Sequence, residues 1–353
     1  MVWFVSIITF FTVVGLATGG VMFLLGRRFI EEFTRPGVTV EQETPQWGGW
    51  TFPDAVGEPA KELQRPITFQ AADGVLLRGE FWAQTRKAPT IILSHGFHLP
   101  CVHFRSVAAL EYAYGANVLL FDYRGHGESA SIATTCGNAE VNDLRAAVEI
   151  AAGQAETKRG QVYIHGFSMG AAVALLLPSH PAIAGIIADS SYARLDEMIR
   201  MLIMQVLDQE TAGWCSPMRV VRFLLPLLTR LTLLGGKMLF RLRYHAPLIA
   251  RPDRAMSHSV GKQTERLPTV LAPPILFIHA EDDPLIALHH THRLAELARA
   301  AGRAIHVYST PCAIHCGSYG HDPQQYMVLI QAFVALENKT GRSSEAHPQT
   351  ESC

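Results

Sequence analysis

Neither sign of charge predominates in this 353-residue chain: thirty lysines and arginines stand against thirty-one acids, a formal net charge of −1. Near-neutrality leaves no global field to gather polyanions, so no nucleic-acid partner is expected. Cysteine is scarce as well. Six in a chain of this length do not build a disulfide framework. Metal-ligand spacing is lacking: Cys312 and Cys316 flank His315, but no fourth ligand stands at a suitable distance. His289 and His292 share a face of an expected helix, with His290 off it, and read as solvated surface. No internal repeat is visible, and no metal or cofactor is expected.

Charge is missing altogether from Val2 to Leu25, a run rich in Val, Ile, Phe and Leu. As a helix it would extend about 36 Å, enough for a hydrocarbon core of ~30 Å. It lacks the basic start of a cleaved signal, and its apolar run is longer than such a signal has; a cleaved signal and a buried helix are the alternatives. No cysteine lies near enough for lipid attachment. Residues 1–28 are therefore expected to form an uncleaved single-pass transmembrane helix. Arg27 and Arg28, on its C-terminal flank, favour a cytoplasmic catalytic domain.

Residues 29–64 carry Pro, Gly and Glu without sustained periodicity and read as a linker. Pro66–Gln70 and Val75–Trp82, joined through Ala72-Asp73-Gly74, read as a β-hairpin. Apolar runs then alternate with helical stretches: 90–93, 118–121, 162–165, 183–188, 275–279 and 304–308. That alternation predicts an α/β domain over 65–337, a mainly parallel sheet with helices on both faces. Ligands gather at the carboxyl ends of such strands. From about 192 to 270 the alternation fails, and a helical lid insertion is expected. Acid is lacking from Met218 to Tyr244, which holds Arg219, Arg222, Arg230, Lys237, Arg241 and Arg243 among many leucines. Such a lid either packs on its own domain or meets acyl chains and anionic headgroups. The polar tail 338–353 is expected to be disordered, and Asn338-Lys339-Thr340 matters only in an exported domain.

Gly166-Phe167-Ser168-Met169-Gly170 follows the apolar run Val162–His165 and precedes Ala171–Leu177. A serine between two glycines, at a turn from strand to helix, is presented clear of the backbone as a nucleophile. The Met169 amide falls at a helix N-terminus, where it can bind developing negative charge. Such a serine needs an imidazole and a buried carboxylate, in chain order serine, acid, histidine. Two loops after strands supply candidates: Ala280-Glu281-Asp282-Asp283-Pro284 and Ala313–Tyr319, which contains His315.

Together these residues resemble the α/β-hydrolase superfamily, nearest its serine-aminopeptidase-like, Bem46-related branch. The likeness covers roughly Ile67 to Phe333. It is carried by Ser94-His95-Gly96-Phe97, Asp122-Tyr123-Arg124-Gly125-His126-Gly127-Glu128-Ser129, Gly137–Leu144, the serine turn, and His315–Tyr319 with Asp322-Pro323 and Tyr326. The resemblance implies Ser168 as nucleophile, Asp283 as acid and His315 as base. Asp282 and Asp189 are the alternatives for the acid, and His321 for the base. Ala280 stands where the family's His-Gly-x-x-Asp pattern has glycine. An oxyanion hole would pair the N–H groups of Phe97 and Met169. His95, His98 and His126 are expected to shape loops, and Asp122 and Arg124 to tie the turn after the fourth strand to the next helix.

The expected activity is a membrane-anchored serine hydrolase cleaving acyl esters or thioesters of a small-molecule substrate through an acyl-enzyme, without cofactor. Its expected membrane contacts are the N-terminal helix and the basic, apolar lid. A peptidase would need a lid carboxylate for a substrate ammonium, for which Glu197, Asp208 and Glu210 are available. A catalytically silent membrane scaffold is the remaining alternative.

Overall fold

Apolar residues that alternate along six of its strands build the centre of the computed structural model, which describes residues 58–201, 219–244, 250–258 and 272–340, with Met204 and scattered positions between 19 and 34. The hairpin is β1 (Gln64–Gln70) and β2 (Leu76–Trp82). Then come β3 (Ala88–Ser94), β4 (Asn117–Phe121), β5 (Thr157–Phe167), β6 (Ile183–Asp189), β7 (Ile275–Ala280) and β8 (Ile305–Thr310). They form one sheet in the order β1-β2-β4-β3-β5-β6-β7-β8. β1, β2 and β4 pair antiparallel in sequence across the sheet, and every neighbour from β4 to β8 is parallel.

Side chains at successive strand positions point to opposite faces, so these strands feed two cores. Ile92, Leu119, Ile164, Ile186 and Phe277 join one core, while Ile91, Val118, Tyr163, Ile187 and Leu276 join the other. The first core is covered by helices α2 (Glu140–Gly153), α3 (Met169–Leu176), α5 (Pro252–His258) and α6 (His289–Ala300). The second is covered by α1 (Arg105–Ala113) and α8 (Pro323–Thr340). The expected two-sided parallel sheet is what the chain forms.

Between β6 and β7 runs α4 (Arg219–Tyr244), and the single turn α7 (Ser318–His321) precedes α8. Thr229, Leu233 and Phe240 bury one face of α4, with Leu233 in the first core. The ends of the expected lid belong to the body instead: Tyr192, Leu195 and Met256 lie in that core. The lid residues 205–218, 245–249 and 259–271 fall outside the described residues.

The described residues between 19 and 34 are helical, so helix enters the stretch expected as linker. This helix lies against α4, where a Cβ on Gly26 would come within 2.7 Å of the Gly235 carbonyl carbon. Thr34 ties its end to both neighbours: its carbonyl accepts the Thr134 N–H (2.9 Å), and its hydroxyl lies 3.3 Å from the Tyr244 hydroxyl. At the other end of the expected linker, Glu58 pairs with Arg105 at 2.8 Å. Among the described residues no helix is long and apolar enough to cross a membrane; residues 1–18 of the expected anchor lie outside them. Positions 341–353 of the expected disordered tail do too, and 338–340 continue α8.

Arg124 and Asp122 fasten the loop after β4. Arg124 bonds Asp143 on α2 (2.6 Å) and Asp73 in the hairpin turn (2.7 Å). Asp122 accepts the N–H groups of Cys101 (2.6 Å) and Glu128 (3.0 Å). Burial pushes the Asp143 carboxyl up to about 6, against the pull of Arg124. In Arg124→Met a buried carboxylate loses its cation, a defect that costs about 3–5 kcal/mol. Urea unfolding at neutral pH should register that loss. It should shrink at acidic pH, because a protonated Asp143 needs no cation. A loss below about 1 kcal/mol at neutral pH would place this ion pair with weak surface pairs.

Candidate active site

Five strand ends deliver the chemistry to one rim of the sheet. β3 ends before His95-Gly96-Phe97, β5 before Ser168, β6 at Asp189, β7 before Asp283 and β8 before His315.

Ser168 is held in the left-handed region, at φ 53° and ψ −110°, between β5 and α3. That conformation costs about 1–3 kcal/mol in a non-glycine residue and persists only where the surroundings enforce it. The enforcement is local. Ser168 donates its N–H to the Asp189 carbonyl on the neighbouring strand (2.8 Å), and its carbonyl accepts the Ala172 N–H (3.1 Å) to begin α3. The flanking glycines are required by space. A Cβ on Gly166 would stand 2.5 Å from the Ala171 nitrogen, and one on Gly170 would stand 2.5 Å from the Ser94 carbonyl carbon.

The expected oxyanion donors belong to the two segments that flank this serine, the start of α3 and the stretch after β3. Met169 opens α3, so its N–H lies outside the helical ladder. Gly96 passes close to Ser168: a Cβ on it would be 3.6 Å from the serine Cβ. His95 orients that segment. Its Nε2 accepts the Tyr123 N–H (2.9 Å), which puts the ring proton on Nδ1, 2.7 Å from the Gly96 carbonyl. In a planar trans peptide the N–H opposes the carbonyl, so fixing the Gly96 carbonyl also fixes the direction of the Phe97 N–H. Burial lowers His95 to about 4 and His126 to about 3. Both are neutral struts, and His126 Nε2 accepts the His98 N–H (3.3 Å).

Asp283 and His315 meet. His315 Nδ1 lies 2.7 Å from Asp283 Oδ2. Because an ionised carboxylate only accepts, the imidazole carries its proton on Nδ1 and keeps the lone pair on Nε2. Asp283 Oδ1 accepts the N–H groups of Leu285 and Ile286, each at 2.9 Å. Burial alone would raise this carboxyl, but His315, then the Ile286 N–H and His279, outweigh it and hold it below the ordinary carboxylate range. Ala280, in the glycine position of the pattern, ends β7 fully buried.

The alternatives are placed elsewhere. Asp282 and His321 are exposed. Asp189 is buried, but Tyr326 (2.8 Å) and Ser190 (2.9 Å) hold its carboxylate. Asp208 and Glu210 lie outside the described residues. Glu197 stands 3.4 Å from His289 Nε2 and 3.9 Å from Arg194.

Several supporting residues carry no role in the sequence reading. His279 braces the acid loop by donating Nε2–H to the Ile286 carbonyl (2.7 Å), while Thr291 meets its Nδ1 (2.7 Å). Beneath the serine turn, Asp189 and Tyr326 continue to His165 Nε2 (2.8 Å from the phenol), whose Nδ1 lies 2.6 Å from Glu111. The cue was a histidine inside an apolar strand. Cys316 Sγ lies 3.7 Å from His315 Nε2, and the Ser168 backbone also meets this thiol. Burial, then the Asp189 and Asp283 charges, drive the thiol far above its ordinary range, so it is no thiolate ligand or nucleophile.

Among the described residues, metal-ligand atoms converge at Glu197, His289 and His290, all within 4.8 Å of one another. The Ala193 N–H points at His290 Nδ1 (3.3 Å), so that lone pair is already engaged and the ring proton is left on buried Nε2.

The model of the Alpha/beta hydrolase family matches residues 91–327. This chain belongs to that family. An uncharacterised Bacillus subtilis protein, YqkD, is 29% identical over 268 residues, covering 75% of this chain and 77% of its own. The fold is shared with the Pyrococcus furiosus esterase Pf2001 at a TM-score of 0.56 and 22% identity, across 80% of this chain and 96% of the esterase. It is also shared with a Pyrococcus horikoshii acylaminoacyl peptidase at a TM-score of 0.52 and 14% identity, across 77% of this chain and 41% of the peptidase.

Gly170→Val tests the crowding at the turn. It should lower stability by about 1–3 kcal/mol, read by thermal unfolding. Unchanged stability would mean the α3 start has room the close approach denies.

Proposed function

We propose that this family member is a serine hydrolase that cleaves acyl esters or thioesters, anchored to a membrane by its uncharged N-terminal run. The observation that carries the reading is the 2.7 Å contact between His315 Nδ1 and Asp283 Oδ2 on the rim that presents Ser168.

Ser168 Oγ adds to the acyl carbonyl as His315 Nε2 takes its proton. Asp283 stabilises the imidazolium through Nδ1–H. Negative charge on the carbonyl oxygen is met by the N–H groups of Phe97 and Met169, and one such donor lowers the barrier by about 2.7–4 kcal/mol. His315 then protonates the departing alcohol or thiol. Water, activated by the same nitrogen, releases the acid and restores Ser168. Esters and thioesters are preferred to amides because an alkoxide or thiolate departs more readily than an amine. A peptidase would draw the carboxylate for a substrate ammonium from Glu197, which would have to leave its contacts with His289 and Arg194, or from Asp208 or Glu210, which lie outside the described residues.

A panel of p-nitrophenyl esters of rising acyl length, beside aminoacyl-anilides, tests the reaction class. Wild type should hydrolyse the esters faster. Ser168→Ala should abolish turnover, and Asp283→Asn should lower kcat by about 10⁴-fold by releasing the tautomer. Faster anilide cleavage would select the peptidase, and undiminished turnover in Ser168→Ala would remove the nucleophile.

A further inference from the structure

A feature outside the site has an unmatched surface. α4 buries Thr229, Leu233 and Phe240 against the domain, yet Leu227 (53% exposed), Leu234 (57%), Met238 (47%) and Leu242 (67%) project from the opposite face. At 3.6 residues per turn these four fall in one arc, with Arg230 and Arg241 along one border. Neither arginine has an ion pair among the described residues. The glycines on α4's flank admit the helix of residues 19–34, which adds exposed Phe23 and Leu24 beside that arc. Between the two helices runs a groove of about 460 Å³, lined by Phe23, Ile30, Leu239 and Leu242 together with Arg243 and with Arg27, whose guanidinium pairs with Glu31 of the same lining at 2.9 Å.

We infer that α4 and the helix of residues 19–34 form one docking face that lies in the headgroup region of an anionic bilayer, with the leucines toward the acyl chains and the arginines toward lipid phosphates. Three observations select this occupant over a second copy of the chain. On the α4 side, Met218 to Tyr244 has six basic residues and no acid. Lys237 is paired with Asp196 and the companion helix pairs Arg27 with Glu31, which leaves the face with a surplus of positive charge, so two copies would repel. The uncharged run Val2–Leu25 leads directly into the companion helix, and Arg27-Arg28 put the basic border at the surface that run would reach. The groove offers both surfaces an amphiphile has, an apolar wall and the Arg243 guanidinium, Arg27 being paired with Glu31. α4 lies on the bilayer rather than across it, since no helix among the described residues is long and apolar enough to span. This inference rests on the anchoring part of the proposed function and is independent of the triad.

The full chain, bound to vesicles, tests it. An environment-sensitive fluorescent amino acid is incorporated at Leu234 or, for comparison, at exposed Arg299 on α6. Quenching by brominated phosphatidylcholine is then measured with and without phosphatidylserine. The reporter at 234 should be quenched several-fold more than that at 299, and phosphatidylserine should strengthen the effect. Arg230→Gln and Arg241→Gln should each reduce the phosphatidylserine preference about fivefold while the protein still sediments with vesicles. Equal quenching at 234 and 299 in sedimenting protein overturns the docking face and leaves the anchor intact. Protein that fails to sediment overturns both. Lipid-independent changes at 234 that grow with protein concentration assign the face to a second copy and also overturn the inference. Ester hydrolysis of a soluble short-chain substrate, measured on the same samples, reports separately on the triad.

Discussion

The contact between His315 Nδ1 and Asp283 Oδ2 is where the architecture becomes chemistry, because it obliges two loops from different strands to meet at one distance. β7 and β8 run parallel, with Ala280 opposite Thr310, so their following loops leave the sheet side by side. The acid loop is held from within by Leu285 and Ile286 N–H groups on Asp283 and from below by His279. A carboxylate this buried is costly unless its acceptor sites are filled. Here they are filled by two amides and one imidazole, and that leaves His315 with one tautomer and its lone pair on Nε2.

The serine has a comparable foundation. Its strained backbone is countersigned by the Asp189 carbonyl, and the Asp189 side chain is in turn fastened through Tyr326 and His165 to Glu111 on α1. Tyr326 gives its proton to Asp189, so His165 Nε2–H donates to the phenol, and the remaining proton sits in the 2.6 Å contact with Glu111. The chain of bonds runs from one covering layer to the floor of the nucleophile turn. Glu111 uses only Oε1 in this network, its Oε2 being buried without a hydrogen-bond partner among the described residues, so the pairing is complete at the Asp189 end and not at the Glu111 end. The network keeps Asp189 occupied, which is why a carboxylate at the end of β6 does not compete with Asp283 for the imidazole.

Much of this was legible in the residues because the signals were physical and local. Alternating apolar runs gave the parallel strands, and two glycines about Ser168 gave the turn whose crowding the coordinates bear. Less legible was whatever depends on tertiary partners. β5 begins at Thr157, five residues before its apolar run, since Thr157-Lys158-Arg159-Gly160-Gln161 is polar and shows no buried periodicity. Helix reaches Thr34 because α4 and Thr134 receive it, and neither partner is visible in local composition. The boundaries of the lid blurred for the same reason: Tyr192, Leu195 and Met256 look like insertion residues until the sheet beneath them is seen. His279 and His165 read as strand residues, and their polar duty emerges only from the loops packed on them.

The central claim is that Ser168, activated through His315, is the nucleophile. Its most direct measurement is mass spectrometry of the protein after reaction with a fluorophosphonate. The account predicts a single phosphonyl adduct on the peptide containing Ser168, lost in Ser168→Ala and much reduced in His315→Ala. An adduct on another residue, or equal labelling of wild type and His315→Ala, would contradict it.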